Sequence, residues 1–183
     1  MPTIVHEFDW PDRVVVGTVG LPGSRTFYLQ VRAGTRVVSI ALEKQQSALL
    51  AEKIDEILDR LITFEGNPFS IPTTTPVELV DNDPLEQPVA EEFRTGALSL
   101  GWDPSTVQVV IEAYPLIDGD EDGDDDAPDL VEIAEMLLVR IPVGTARAFA
   151  KRTREVVGAG RPMCPLCGYP VEADGHTCTL PDI

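Results

Sequence analysis

The sequence predicts an α+β fold made of two similar halves, each with strands followed by a helix, and a small zinc-binding segment at the C-terminus. Three observations lead to this prediction. Runs of β-branched and aromatic residues are separated by glycine-containing turns. Two other runs have the periodicity of amphipathic helices, and all 3 cysteines lie close together near the C-terminus. Because the strands precede the helices instead of alternating with them, we expect a mainly antiparallel sheet.

The first half, residues 1–64, begins with strands. Segments rich in Val, Ile, Thr and aromatic residues predict strands at 13–20, 26–33 and 35–42, with the turns LPGSR and AGT between them. From Glu43 onward, apolar residues recur every three or four positions, which predicts an amphipathic helix that ends near residue 64. The apolar positions are Leu50, Ile54, Ile57, Leu58 and Leu61.

The second half, residues 93–158, follows a proline-rich loop at 65–92 and repeats the order of the first half. Both halves together form one predicted α+β domain, residues 1–160, and residues 161–183 form a zinc-knuckle-like segment. The predicted elements of the second half are strands at 96–103, 106–114 and 130–141 and a helix at 143–157.

An acidic stretch, DGDEDGDDDAPD at 118–129, interrupts the second half. It lacks the bidentate glutamate that closes the calcium-binding loop of an EF-hand. We therefore interpret it as a solvated loop between two strands and not as a cation site.

The chain carries a large excess of negative charge. Its net charge is −17 over 183 residues, while its hydrophobic share of 43% and charged share of 25% are ordinary for a globular protein. No apolar run approaches the roughly 18 residues of a membrane span, and the N-terminus MPTIVHEFDW is unlike a signal peptide. Three clustered cysteines make a poor disulfide framework. We therefore expect a cytoplasmic protein that does not insert into membranes.

The C-terminal stretch MCPLCGYPVEADGHTCTL has the spacing of a metal site. Cys164 and Cys167 form a Cys-x-x-Cys turn, and the glycine after it permits backbone N–H groups to approach the sulfurs. His176 and Cys178 are two residues apart, so they lie on the same face of an extended chain. Three sulfurs and one nitrogen form a closed tetrahedral set, which predicts a structural zinc ion as the cofactor.

Two other uses of these cysteines are less consistent with the sequence. A redox-active Cys-x-x-Cys normally opens a helix, whereas Tyr169 and Pro170 follow here. An iron centre usually takes four cysteines, and the chain has 3. Four protein ligands leave no open coordination position, so we expect the zinc to be structural and not catalytic.

Basic residues concentrate in two segments. Residues 13–44 hold five of the 14 Lys and Arg residues and residues 140–161 hold six. One interpretation is an anion-binding face for a phosphorylated ligand or an acidic partner. Its candidate residues are Arg25, Arg36, Arg140 and Arg147.

A simpler interpretation, which we favour on sequence grounds, needs no ligand. Arg147, Lys151 and Arg154 are four and three residues apart, so they would form the solvent-exposed stripe of the second helix. The basic residues could also pair with the acidic loop of the same molecule.

Catalytic motifs are sparse. His6 is the only histidine outside the cysteine cluster; we expect it on an N-terminal strand, and no motif supports a role as general base. The leading hypothesis is therefore a non-enzymatic binding or adaptor protein with a structural zinc site. The alternative is an enzyme or binding protein that acts on a phosphorylated small molecule through the basic face. A second alternative, nucleic-acid binding, is disfavoured by the net charge.

Several motifs together resemble a known family. The stretches DRVVVGTVGLPGSRTFYLQVRAGTRVVSIALEKQQ, FRTGALSLGWD, VVIEA and CPLCG…GHTC are similar to an uncharacterised actinobacterial family of unknown function, over nearly the whole chain. Members typically continue with Pro-Arg after the last cysteine, where this chain has Thr179 and Leu180. The resemblance implies genes that lie near those of histidine-phosphatase-like and lipid-kinase-like proteins. It thus implies a phosphate-related partner and assigns no catalytic residue.

Overall fold

The computed structural model describes residues 4–21, 23–64, 66–117 and 135–159. It confirms a mixed α+β fold, with a seven-stranded sheet and two helices. None of the helices in these ranges is long and apolar enough to cross a membrane. The strands are β1 (Ile4–Asp9), β2 (Arg13–Val19), β3 (Thr26–Ala33), β4 (Arg36–Leu42), β5 (Glu91–Asp103), β6 (Gln108–Pro115) and β7 (Glu135–Pro142). The helices are α1 (Lys44–Ile62) and α2 (Val143–Gly158), and a 3-10 turn spans Val77–Leu79.

The sheet has the order β1-β7-β6-β5-β4-β3-β2. Neighbouring strands are antiparallel within β2-β3-β4 and within β5-β6-β7, and each of these meanders is followed by a helix. The pairs β4–β5 and β1–β7 are parallel. A parallel pair needs a long crossover, and α1 with the proline-rich loop supplies it between β4 and β5. The prediction of a mainly antiparallel sheet therefore holds, with two parallel pairs that the sequence did not indicate.

The sheet curls strongly, because its two edge strands are consecutive in the chain. Only residues 10–12 separate β1 from β2. The four residue steps from Asp9 to Arg13 reach at most about 14 Å, whereas six spacings of a flat sheet measure about 29 Å. The Trp10 N–H donates to the Arg140 carbonyl beside one edge, and the Asp12 N–H donates to the Arg32 carbonyl beside the other.

The curled sheet and the two helices enclose one hydrophobic core. α1 contributes the predicted Leu50, Ile54 and Leu58, which are buried, while Ile57 and Leu61 are only half-buried. α2 packs against α1 and lies along β2. The largest fully buried apolar side chains are Phe8, Leu29, Ile40, Ile54, Leu58, Ile111, Leu137 and Ile141.

Part of the proline-rich loop covers the outer face of β2 and β3. The Gln30 side chain exchanges hydrogen bonds with the backbone of Glu86, at 3.1 Å and 2.8 Å. Leu85 packs against Gly17 so closely that a Cβ there would lie 2.6 Å from its side chain. This contact explains a glycine in the middle of a strand.

Strand β5 begins earlier than the sequence predicts. It starts at Glu91, where the pattern predicted residue 96, because Glu91 and Arg94 pair with Ser39 and Ala41 of β4. The acidic stretch at 118–129 and the segment 161–183 lie outside the described residues. The division into two halves and a C-terminal segment remains a prediction.

Candidate functional site

Arg147 is one of the predicted anion-binding residues, and its guanidinium is already hydrogen-bonded to two carboxylates of α1. Its side chain is only 6% exposed. Nη1 donates to Asp55 at 2.8 Å, Nη2 donates to Asp59 at 2.6 Å, and Nε donates to the Pro72 carbonyl at 3.0 Å. Arg147 therefore connects the two helices and the proline-rich loop.

The interpretation of a solvent-exposed basic stripe on α2 is wrong for Arg147. The helix face that carries it packs on α1, where Asp55 and Asp59 supply compensating charge. Arg154 pairs with the same Asp55, while Lys151 pairs with Glu155 of its own helix. The sequence pattern could not reveal this burial, because it depends on how α1 and α2 pack.

The structure brings Arg36 and Arg140 together at β1. Arg36 Nη1 donates to the Glu7 carbonyl at 2.9 Å, and its guanidinium lies 4.3 Å from the centre of the Phe8 ring. Arg140 Nη1 donates to the Glu7 carboxylate at 2.7 Å, and this hydrogen bond raises the pKa of Arg140.

Arg25 lies apart from this pair, at the position immediately before β3 in the sequence. Its Nη1 donates to the Val156 carbonyl in α2 at 3.4 Å, and its guanidinium lies 5.1 Å from the centre of the Phe27 ring. The four predicted arginines thus lie in three separate places, and only Arg36 and Arg140 are neighbours.

Two other arginines, one from each basic segment, meet at a pocket between β2 and α2. Arg13 donates to Asp81 from Nε at 2.6 Å and from Nη2 at 3.1 Å. Arg152 donates from Nη1 to the Asp81 carbonyl at 2.5 Å and from Nε to the Val16 carbonyl at 3.0 Å. The pocket has a volume of about 140 Å³. It is lined by Pro11, Asp12, Arg13, Val14, Val15, Leu79, Asp81, Thr145, Ala148, Phe149 and Arg152.

The charged side chains of this pocket are two arginines, Arg13 and Arg152, and two aspartates, Asp12 and Asp81. Two guanidinium groups share the one Asp81 carboxylate, whose oxygen lies 3.5 Å from Arg152 Nη1. Burial lowers the pKa of Arg152; the Asp81 charge opposes that effect and the Arg13 charge adds to it, and the net pKa is lowered. The lowered pKa therefore reflects mainly the burial of Arg152, which the charges of Asp81, Asp83 and Glu155 offset only in part.

Hydrogen-bond donors remain for a ligand. Among the residues of the four described ranges, neither Arg13 Nη1 nor Arg152 Nη2 has an acceptor. Thr145 lines the pocket from the first turn of α2, and this helix has no side-chain cap and no acidic residue in that turn. The first N–H groups of a helix lack partners within it and favour negative charge. The pocket therefore suits a small anion.

The sequence offered only part of the signal for this pocket. Arg13 and Arg152 belong to the two basic segments, but Asp81 lies in the proline-rich loop, 68 residues from Arg13. No local spacing connects the three residues, so only the fold could assemble them.

Asp81 is expected to make stability depend on acid pH. Burial raises the pKa of Asp81, but its hydrogen bonds with Arg13 and the Asp83 N–H and the charges of Arg13 and Arg152 outweigh that effect, so the pKa falls below the ordinary 3.8. A depressed carboxyl pKa stabilises the fold above the unfolded-state pKa, and this contribution is lost as the pH falls through the folded-state value.

Replacing Asp81 with Asn should therefore lower the free energy of unfolding by about 2 kcal/mol at neutral pH. The difference between the two proteins should shrink below about pH 4, as measured by urea unfolding across a pH series. Asp83→Asn is the matched control, because it changes a nearby exposed carboxylate. Asp83 accepts a hydrogen bond from Arg13 through its backbone carbonyl and not through this carboxylate. An equal effect of both substitutions would contradict the role of Asp81.

The predicted zinc ligands, Cys164, Cys167, His176 and Cys178, lie outside the described residues. No curated protein and no solved structure matches the chain. Residues 6–178 match the model of a family described as a protein of unknown function, DUF3090. This match agrees with the resemblance to an uncharacterised family that the sequence motifs indicated. The chain therefore belongs to the DUF3090 family of proteins of unknown function.

Proposed function

We propose that this protein is a non-enzymatic binding protein that holds the phosphate group of a small molecule in the pocket between β2 and α2. One observation carries the proposal. Arg13 and Arg152 share a single carboxylate there, and each keeps a terminal guanidinium nitrogen without an acceptor among the described residues. A bound anion would accept charge-assisted hydrogen bonds from these two nitrogens.

The size of the pocket limits what it could take. Pockets that enclose drug-sized ligands have volumes of about 300–1,000 Å³, and this pocket has about 140 Å³. It has room for a phosphate group but not for a whole nucleotide. Guanidinium groups also match the geometry of phosphate oxygens, with which they form paired hydrogen bonds.

The lining residues support binding over catalysis. Their ionisable side chains are those of Asp12, Arg13, Asp81 and Arg152. A guanidinium stays protonated in proteins and so is a poor general acid or base. Asp81 accepts two hydrogen bonds from Arg13, and Asp12 accepts one from the Gly34 N–H.

We extend the proposal to the C-terminal segment, where Cys164, Cys167, His176 and Cys178 would bind zinc as a structural ion. The support is the spacing of the four side chains and their closed ligand set. Among the arginines predicted from sequence, Arg36 and Arg140 are proposed as a weaker second anion contact. They are neighbours, and Arg140 has one carboxylate partner where Arg147 has two.

The phosphate proposal is tested by thermal denaturation in the presence of inorganic phosphate and then of phosphate monoesters. At 100 times its dissociation constant a ligand should stabilise the wild-type chain by about 2.7 kcal/mol. Arg152→Met should weaken binding roughly tenfold or more, because it removes a charge-assisted hydrogen bond. Each shift is measured against the melting temperature of the same chain without ligand.

Two controls make the result specific. Lys151→Met removes a positive charge at the next position, outside the pocket lining, and should bind phosphate as the wild type does. Arg152→Lys keeps the positive charge but lacks the paired donors of a planar guanidinium. Its affinity for phosphate should therefore lie between those of the wild type and Arg152→Met. Equal stabilisation of the wild-type and Arg152→Met chains, or no stabilisation of the wild type, would refute the proposal.

A further inference from the structure

A second polar cluster lies away from the pocket, at the start of β7. His6 is on β1, as the sequence predicted, and Nε2 lies 3.0 Å from Oε2 of Glu135. In the parallel ladder Ile4 pairs with Glu135 and His6 pairs with Leu137. Because side chains alternate along a strand, His6 and Glu135 are diagonal neighbours on the same face of the sheet.

Glu92 reaches the same place from β5. Strand β6 separates β5 from β7, but it ends at Pro115, which pairs with Thr95. Glu92 therefore lies beyond the end of β6, and no strand formed by the described residues lies between it and β7. One ligand atom from each of His6, Glu92 and Glu135 lies within 4.8 Å of the other two.

We propose that His6, Glu92 and Glu135 bind a divalent transition-metal ion. One imidazole nitrogen and two carboxylate oxygens are ligands that suit manganese, iron or zinc. Two carboxylates at this separation repel each other unless a cation lies between them. Within the described part of the chain, Glu92 has no ion-pair partner of its own.

The burial of the cluster fits an accessible metal site. The side chains of His6 and Glu135 are 15% and 24% exposed, while Glu92 is exposed. The partly buried His6 and Glu135 would therefore bind the ion from the protein side, and Glu92 would bind it from the solvent side. Three protein ligands leave positions for water or another ligand, unlike the closed set proposed for the cysteine segment.

Manganese is the probe that distinguishes the two metal sites, because thiolates select softer ions. Electron paramagnetic resonance of the full chain titrated with Mn²⁺, with zinc retained, should show one bound ion per chain. Glu92→Gln should weaken this binding at least roughly tenfold, since even groups that only orient a ligand contribute 10- to 100-fold. Glu92 is exposed, so this variant should fold normally.

The matched control is Glu91→Gln, which makes the same change one residue away, outside the cluster. It should bind Mn²⁺ as the wild type does. Equal affinity of the Glu91→Gln and Glu92→Gln chains would overturn the proposal, and so would a wild-type chain that binds neither Mn²⁺ nor a second equivalent of Zn²⁺. In either case His6 and Glu135 would be a hydrogen-bonded pair without a metal. Neither result bears on the phosphate pocket, which shares no residue with this cluster.

Discussion

Replacing Arg147 with methionine is expected to lower the free energy of unfolding by about 3 kcal/mol, as for other buried ion pairs that lose one partner. Methionine fills much of the space of the arginine stem, so the loss reports on charge and hydrogen bonds more than on packing. Asp55, whose side chain is only 18% exposed, would lose one of its two arginine partners and keep Arg154. Denaturant unfolding at neutral pH measures the change.

Lys151→Met is the control on the same helix. Lys151 pairs with Glu155 four residues away at the surface, and such pairs contribute about 0.3–0.5 kcal/mol. If Arg147→Met lowers the free energy of unfolding no more than Lys151→Met does, the view that Arg147 joins the two helices is contradicted. Strong phosphate binding that disappears only in Arg147→Met would restore this residue to an anion-binding role.

Replacing Cys167 with serine should remove bound zinc and lower the melting temperature. Structural zinc in small modules contributes an apparent free energy of about 10–16 kcal/mol, and this energy is available to folding. Serine has nearly the size of cysteine but a far weaker affinity for zinc. Elemental analysis should find one zinc ion fewer per chain in the variant than in the wild type.

Thr177→Ser is the matched control for the zinc prediction. Thr177 lies between His176 and Cys178, so it belongs to the same segment without supplying a ligand. This variant should keep both its zinc and its melting temperature. An unchanged melting temperature in Cys167→Ser would refute a structural role for the metal.

Most of the secondary structure could be predicted because it depends on local patterns. β3 occupies the predicted 26–33, and α2 differs from its predicted range of 143–157 by one residue. The helix face of Leu50, Ile54 and Leu58 is buried as its periodicity indicated. In each case neighbouring residues alone determine the pattern.

Pairings between distant residues could not be predicted. The start of β5 is formed by charged residues, and only their pairing with β4 makes them a strand. The contact between Arg13 and Asp81 and the burial of Arg147 both require the folded chain. His6 lies on a strand as the sequence predicts, but Glu135 is 129 residues away, and no spacing in the sequence connects the two.

The most direct test of the proposed function is the mass of the chain under non-denaturing conditions, before and after titration with a phosphate monoester. The wild-type chain should carry the mass of one zinc ion and gain one molecule of ester, while Arg152→Met should keep the zinc and gain no ester at the same concentration. Equal ester occupancy in both chains would contradict the proposal that Arg152 holds the phosphate. A wild-type chain that gains no ester would contradict phosphate binding itself. A wild-type chain without zinc would contradict the proposed zinc site at the cysteines.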